Sequence, residues 1–197
     1  ADHLVGRRLV HPRAELLDAV RRLQHDAQAL DSRLHLARAH YEEAYVLLAL
    51  ERHADAVPAV DAAQRTLLGE RAPSLGAFTT TYERGLYIEG VTLKARALAG
   101  LRDHATVLAL CEPVVRDIES ERARVSSPYQ QSAFLGARAE LYEFCAAAAY
   151  HLQRWDLLLS TTELLKARAS LRALRAATNA GARDPTRLDA APGVPEP

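Results

Sequence analysis

The segment CAAAAYHLQRWDLLLSTTELLKAR, residues 145–168, places four consecutive alanines before a polar stretch and a second leucine-rich run. Alanines remove side-chain bulk from one helix, and the leucines of the following helix can fill the space beside it. Apolar residues on both sides of the polar stretch recur at spacings of three and four, as in amphipathic helices. The segment is therefore predicted to form an antiparallel helical hairpin with its turn near Trp155.

The same hairpin pattern occurs three times along the chain at an offset of 51 residues. The polar turn reads ERHAD at 51–55, RDHAT at 102–106 and QRWDL at 153–157. Matching small or aliphatic positions are Ala37, Ile88 and Ala139; Ala44, Ala95 and Ala146; Leu50, Leu101 and Leu152; and Ala56, Val107 and Leu158. A fixed internal period is the signature of a helical repeat. It predicts first helices over 33–51, 81–101 and 128–152 and second helices over 54–69, 104–124 and 155–176.

Helix starts and domain limits follow from local signals. Thr80 with Glu83, and Ser127 with Gln130, have the spacing of a helix-capping box. A further helix over about 13–30 does not fit the period and is expected to pack as an N-terminal cap. We divide the chain into an N-terminal extension (1–12), a helical repeat region (13–177) and a Pro-, Gly- and Ala-rich tail or linker (178–197), which is expected to be flexible.

Composition and motifs argue against several functional classes. The chain has 25 basic and 25 acidic residues, so no global field attracts nucleic acid or an anionic membrane. No apolar run reaches the ~20 residues needed to cross a bilayer, and we expect a cytoplasmic protein. Cys111 and Cys145 lie in apolar helical patterns, and no histidine spacing matches a metal motif. We therefore predict no enzymatic activity, no catalytic residue, no metal and no cofactor.

Paired helices with a small residue in the first helix and another after the turn resemble the tetratricopeptide repeat (TPR). The residues concerned are Ala44 with Ala56, Ala95 with Val107, and Ala146 with Leu158. The resemblance covers about residues 33–176, although the period of 51 exceeds the ~34 residues of the standard repeat. It implies an all-α fold, a right-handed superhelix of three TPR-like antiparallel helix pairs with an N-terminal capping helix.

A narrower stretch, residues 127–174, resembles the repeat segment that precedes the protease-like CHAT domain in many bacterial proteins. The matching residues are Ser127, Pro128, Phe134, Leu135, Arg138, Glu140, Leu141, Tyr142, Glu163, Lys166, Ala167 and Arg168. This resemblance implies a bacterial protein in which the repeats act as a sensor or scaffold for an effector domain of the same polypeptide. The sequence itself contains no CHAT catalytic domain.

The first helices of a curved stack of hairpins line its concave face. Side chains between their packing positions are therefore predicted to contact a partner: Arg38, Tyr41, Tyr45, Glu89, Arg96, Glu140, Tyr150 and His151. Tyrosine and arginine are frequent binding hot spots, and mixed charges suit a peptide better than a nucleic acid. For Tyr41 and Tyr45, packing on neighbouring helices is the alternative.

These residues lead to the prediction of a protein-protein interaction scaffold or sensor module that binds a peptide or protein segment on its concave face. The alternative is a helical nucleic-acid-binding or transcription-regulator module. It would use the N-terminal arginines Arg7, Arg8, Arg13, Arg21 and Arg22. Homo-oligomerisation through the ends of the solenoid is also open.

Overall fold

The computed structural model describes residues 7–124 and 138–166, with side-chain surroundings from residue 15 onward. Every regular element in these ranges is helical, which confirms the all-α prediction. The helices are α1 (Arg7–Ala29), α2 (Arg33–Ala49), α3 (His53–Leu68), α4 (Thr81–Gly100), α5 (His104–Ala123), α6 (Ala139–His151) and α7, described over 155–166. A short 3₁₀ turn, Leu75–Ala77, lies between α3 and α4.

The turns α2–α3, α4–α5 and α6–α7 share one backbone geometry. Each places a non-glycine residue in the left-handed region just after the first helix: Glu51 and Arg102 at φ +59°, and Gln153 at φ +57°. The next amide donates back to a carbonyl five residues earlier, over 2.8–3.0 Å: Arg52 to Leu47, Asp103 to Leu98, and Arg154 to Ala149. This is a Schellman ending, which stops one helix and directs the chain into the next.

Helix packing follows the chain order. We call α2, α4 and α6 the first helices and α3, α5 and α7 the second helices. α2 packs against α3 and α4, and α3 also packs against α4. The pattern continues as α4 packs against α5 and α6, and α5 packs against α6. One hydrophobic cluster, which includes the fully buried Ala44, Ala95 and Leu141, runs through α2 to α6.

The ends of the helices agree with some predictions and correct others. The Thr80 side chain caps α4 by accepting a hydrogen bond from the Glu83 amide at 3.1 Å, as predicted. α1 begins at Arg7, earlier than the expected residue 13. α6 begins only at Ala139, because Arg138 has a non-helical φ of −121°, so the predicted helix over 128–152 is wrong as one continuous element.

Two predicted features fall outside the described residues: the capping box at Ser127 and Gln130, and the tail at 178–197. Within residues 7–124 and 138–166, no helix combines the length and the hydropathy needed to cross a membrane.

Candidate functional site

Five of the eight predicted site residues form two sets of contacts between successive first helices. They are Arg38 and Tyr45 on α2, Glu89 and Arg96 on α4, and Glu140 on α6, and we call them the polar row. Arg38 Nη1 donates to both carboxylate oxygens of Glu89 at 3.0 Å. The Tyr45 hydroxyl also donates to Glu89 at 3.0 Å, and Arg96 Nε donates to Glu140 at 2.9 Å.

The polar row follows the sequence offset. Tyr45 and Glu89 are 44 residues apart, and so are Arg96 and Glu140. Each pair thus joins a donor on one first helix to a carboxylate on the next, at equivalent positions. The third equivalent of the donor is Ala147, which has no polar group. The row therefore ends on α6.

Neighbouring groups in the polar row shift the pKa values of Tyr45 and Arg38. Burial raises the pKa of Tyr45 to about 12, and the negative charge of Glu89 adds to that rise. Burial opposes the charge on Arg38, but Glu89 and Glu42 outweigh this effect and raise its pKa. At neutral pH Tyr45 is consequently a neutral donor, and Arg38 is a cation held between two carboxylates.

The polar row remains accessible to a binding partner. The side chains of Arg38, Arg96 and Glu140 are 44%, 39% and 40% exposed. Glu42, on α2, and Glu143, on α6, add two more carboxylates to the same helices. Among the six charged side chains in and beside the row, four are carboxylates and two are guanidinium groups.

Tyr41 was predicted to face a partner, and its position corrects that prediction. The side chain is fully buried between α2 and α4. Its ring lies against Gly90 so closely that a Cβ atom added there would be 2.2 Å from the hydroxyl oxygen. That hydroxyl has no hydrogen-bond partner, and burial raises its pKa. Tyr41 is therefore a packing residue. A glycine inside an amphipathic helix was the sequence signal for this close approach.

Tyr150 and His151 lie together at the end of α6. The His151 ring stacks on that of His104, with centroids 4.0 Å apart and an angle of 14° between the planes. Tyr150 is exposed, and it meets the rings of His151 and Trp155 edge-on at 5.6 and 6.0 Å. No contact joins this pair to the polar row in the described part of the chain. The eight predicted residues thus fall into a polar row, a buried packing residue and an aromatic end.

The two cysteines and the N-terminal arginines were the other residues considered for a functional role. Cys111 and Cys145 are buried free thiols, and burial raises the pKa of both, which disfavours the reactive thiolate. Arg21 pairs with Asp18 at 3.0 Å on α1. Among the described residues, no group of three or more histidine, cysteine or acidic side chains could hold a metal ion. The side chains of the other predicted N-terminal arginines, except Arg22, lie outside the described range.

Comparison of the chain with protein-family models, with curated proteins and with solved structures gives no match.

Proposed function

We propose that this chain is a TPR-like interaction scaffold that binds a peptide or protein segment along the polar row. The observation that supports the proposal best is the repetition of one contact, in which a donor on one first helix meets a carboxylate on the next at equivalent positions. The side chains of Arg38, Arg96 and Glu140 are about two-fifths exposed, and that of Glu89 is 23% exposed. Exposed ion pairs of this kind add little to stability, about 0–1 kcal/mol each. Their polar groups can therefore exchange partners at low cost.

The proposed ligand is an extended segment that carries lysine or arginine. The row and its neighbours offer four carboxylates (Glu42, Glu89, Glu140 and Glu143) and two guanidinium groups (Arg38 and Arg96). A cationic segment is attracted by the excess of negative charge, and complementary charges set the orientation of such complexes. Tyr45 supplies an aromatic surface beside the carboxylates, the type of residue that often dominates binding.

The finer architecture is part of the same proposal. Similar turns at an offset of 51 residues support a superhelix of hairpins whose first helices line a concave face, with the polar row on that face. In this proposal the scaffold is the repeat part of a larger cytoplasmic bacterial protein and receives the partner that controls an effector domain. The support for that last step is the resemblance of residues 127–174 to CHAT-associated repeats.

A selection followed by a titration tests the proposal. Peptides are selected from a random display library on the wild-type protein, and the best peptide is titrated against an Arg96→Ala/Glu140→Ala variant. We expect affinity to fall by about tenfold or more, the effect of losing one binding hot spot. The matched control is Glu112→Ala/Arg116→Ala, which removes an ion pair of 2.8 Å on α5, outside the row.

The composition of the selected peptides is a second test of the proposal. Enrichment in lysine and arginine would support the acidic row as the binding surface. Equal affinity for wild type, the row variant and the control, with unchanged helicity by circular dichroism, would place binding elsewhere and end the proposal.

A further inference from the structure

Two histidine rings meet where the start of α5 lies beside the end of α6. His104 is the first residue of α5, and His151 is the last residue of α6. Their ring planes differ by 14°, and the centroids are 4.0 Å apart. His104 is half-buried and His151 is exposed, so solvent protons can reach the pair. The contact between these two helix ends is therefore made by two titratable groups.

The stack of the two rings is compatible with one proton and is opposed by two. A cation can lie on an aromatic face, whereas two like charges at this distance repel each other. The helix dipole disfavours a cation at the start of α5, and it favours one at the end of α6. One turn along each helix from the rings lie Leu108 and Ala147, which carry no charge. Protonation of both rings therefore brings two positive charges together.

Four charged residues lie where the α4–α5 turn and the α6–α7 turn adjoin the stack: Arg102, Asp103, Arg154 and Asp156. Asp103 caps α5 by accepting a hydrogen bond from the Thr106 amide at 3.1 Å. The pKa of Asp103 is lowered, first by the hydrogen bonds from Thr106 and to a smaller extent by His104. Arg154 pairs with Asp156 at 3.5 Å. Two positive and two negative charges thus flank the rings, and they offer no excess of carboxylates to balance a second proton.

The equivalent contact in the preceding hairpin contains a single histidine. The residues 51 positions earlier are His53 and Gly100, and a Cβ atom added at Gly100 would come within 2.6 Å of the His53 ring. One titratable ring packs against a glycine there. The pairing of two histidines is therefore particular to the contact between α5 and α6 and is not a general property of the repeat.

We propose that the His104–His151 stack is an acid-sensitive switch, which joins the end of α6 to α5 while at most one ring is protonated and separates when both are. The unfolded chain accepts both protons without this repulsion, so it binds more protons than the folded chain in acid. The contribution of the stack to stability is therefore complete when the imidazoles are neutral. It is lost as the pH falls through the histidine range, from about 8 to about 5.

The surface that responds to the switch is the exposed end of α6. Tyr150 meets the ring of His151 edge-on at 5.6 Å and that of Trp155 at 6.0 Å. Separation of the stack therefore changes the surroundings of two exposed aromatic side chains. Glu140 of the polar row lies at the opposite end of α6, so the switch goes beyond the proposed peptide site and does not depend on it.

Trp155 is the single tryptophan of the chain, so its fluorescence reports on this end of α6. We expect the wild-type emission to change between pH 8 and pH 5, while circular dichroism shows that the helices persist. His151→Phe and His104→Phe each keep a ring in the stack but remove one of the two charges. Either variant should abolish the change. The matched control is His25→Gln, which removes a histidine that is 83% exposed on α1 and should leave the change in place.

Thermal unfolding gives a second measurement of the same switch. Between pH 8 and pH 5 the melting temperature of the wild type should fall by about 2–4 °C more than that of His151→Phe. This is the shift expected from the repulsion of two unit charges about 4 Å apart in water. A wild-type fluorescence that stays constant over this range would overturn the proposal. A change that persists in both single variants, or one that His25→Gln removes, would also overturn it.

Discussion

The two joints between successive helix pairs use equivalent positions with different side chains. We call the contact of α2 and α3 with α4 the first joint, and that of α4 and α5 with α6 the second joint. In the first, the Tyr45 hydroxyl donates to Glu89, whereas in the second the Arg96 guanidinium donates to Glu140. The donor and the carboxylate lie at equivalent positions in both joints. The donor is neutral in the first joint and charged in the second.

The same contrast holds for the rings beside the turns. In the first joint His53 lies against Gly100, where an added Cβ atom would come within 2.6 Å of the ring. In the second joint the equivalent residues are His104 and His151, and their rings stack. In the first joint the His53 ring thus packs against a glycine, whereas in the second joint two histidine rings stack on each other. Equivalent positions in the two joints are thus filled by different residue types.

The largest expected effect comes from filling the gap behind Tyr41. Gly90→Ala should destabilise the protein by about 1–3 kcal/mol, because its Cβ atom would overlap the buried tyrosine ring. Urea denaturation measures the change. Gly85→Ala is the matched control in the same helix, since nothing lies within 4 Å of its added Cβ atom. There the usual gain of about 0.5–1 kcal/mol for alanine over glycine in a helix should appear. Equal gains at both positions would show that Tyr41 does not fill the first joint.

A smaller effect is expected at the second glycine of the first joint. Gly100→Ala should cost about 1 kcal/mol, because the methyl group meets the His53 ring at the exposed end of α4. In a double-mutant cycle with His53→Ala, most of that cost should disappear, since the ring that causes the overlap is absent. Thermal or urea unfolding of the four proteins gives the coupling energy. Additive effects would mean that the two residues do not touch in solution.

The sequence predicts the turns well because they depend on short-range signals and on a fixed offset. The residues of the polar row were predicted to contact a partner rather than one another, although the same offset explains their contacts. Arg38 and Glu89 are 51 residues apart, so the period alone places them side by side on neighbouring first helices. The pairing of opposite charges at that spacing supports the observed contact.

The burial of Tyr41 could not be read from α2 alone. It depends on Gly90 in the next first helix, and the depth of a side chain is decided by the size of the residue opposite. The start of α6 was missed for a related reason: the apolar pattern continues through Arg138, while the backbone leaves the helical region there. The stacking of His104 on His151 likewise depends on how closely two helix ends approach, which neither helix encodes by itself.

The smallest expected effect is a loss of stability at high pH that concerns the first joint and not the second. Because the folded protein raises the pKa of Tyr45 to about 12, above the ~10 of an unperturbed tyrosine, the neutral hydroxyl contributes stability that is complete below about pH 10. That contribution is lost as the pH rises through 12, when the ionised oxygen faces the carboxylate of Glu89. The second joint has no tyrosine at this position, so only the first joint should weaken.

The absorbance of tyrosinate near 295 nm measures this titration. The difference between wild type and Tyr45→Phe isolates one tyrosine, and its midpoint should lie near pH 12, provided that circular dichroism shows the helices intact there. Arg96→Ala removes a positive charge that lowers the pKa of Tyr45, so it should raise the midpoint of this ionisation. A midpoint for Tyr45 near pH 10 would mean that its hydroxyl is solvated and does not bind Glu89. In that case Arg38 alone would bind Glu89 between α2 and α4, and only the Arg96–Glu140 contact would link first helices through a donor at this position.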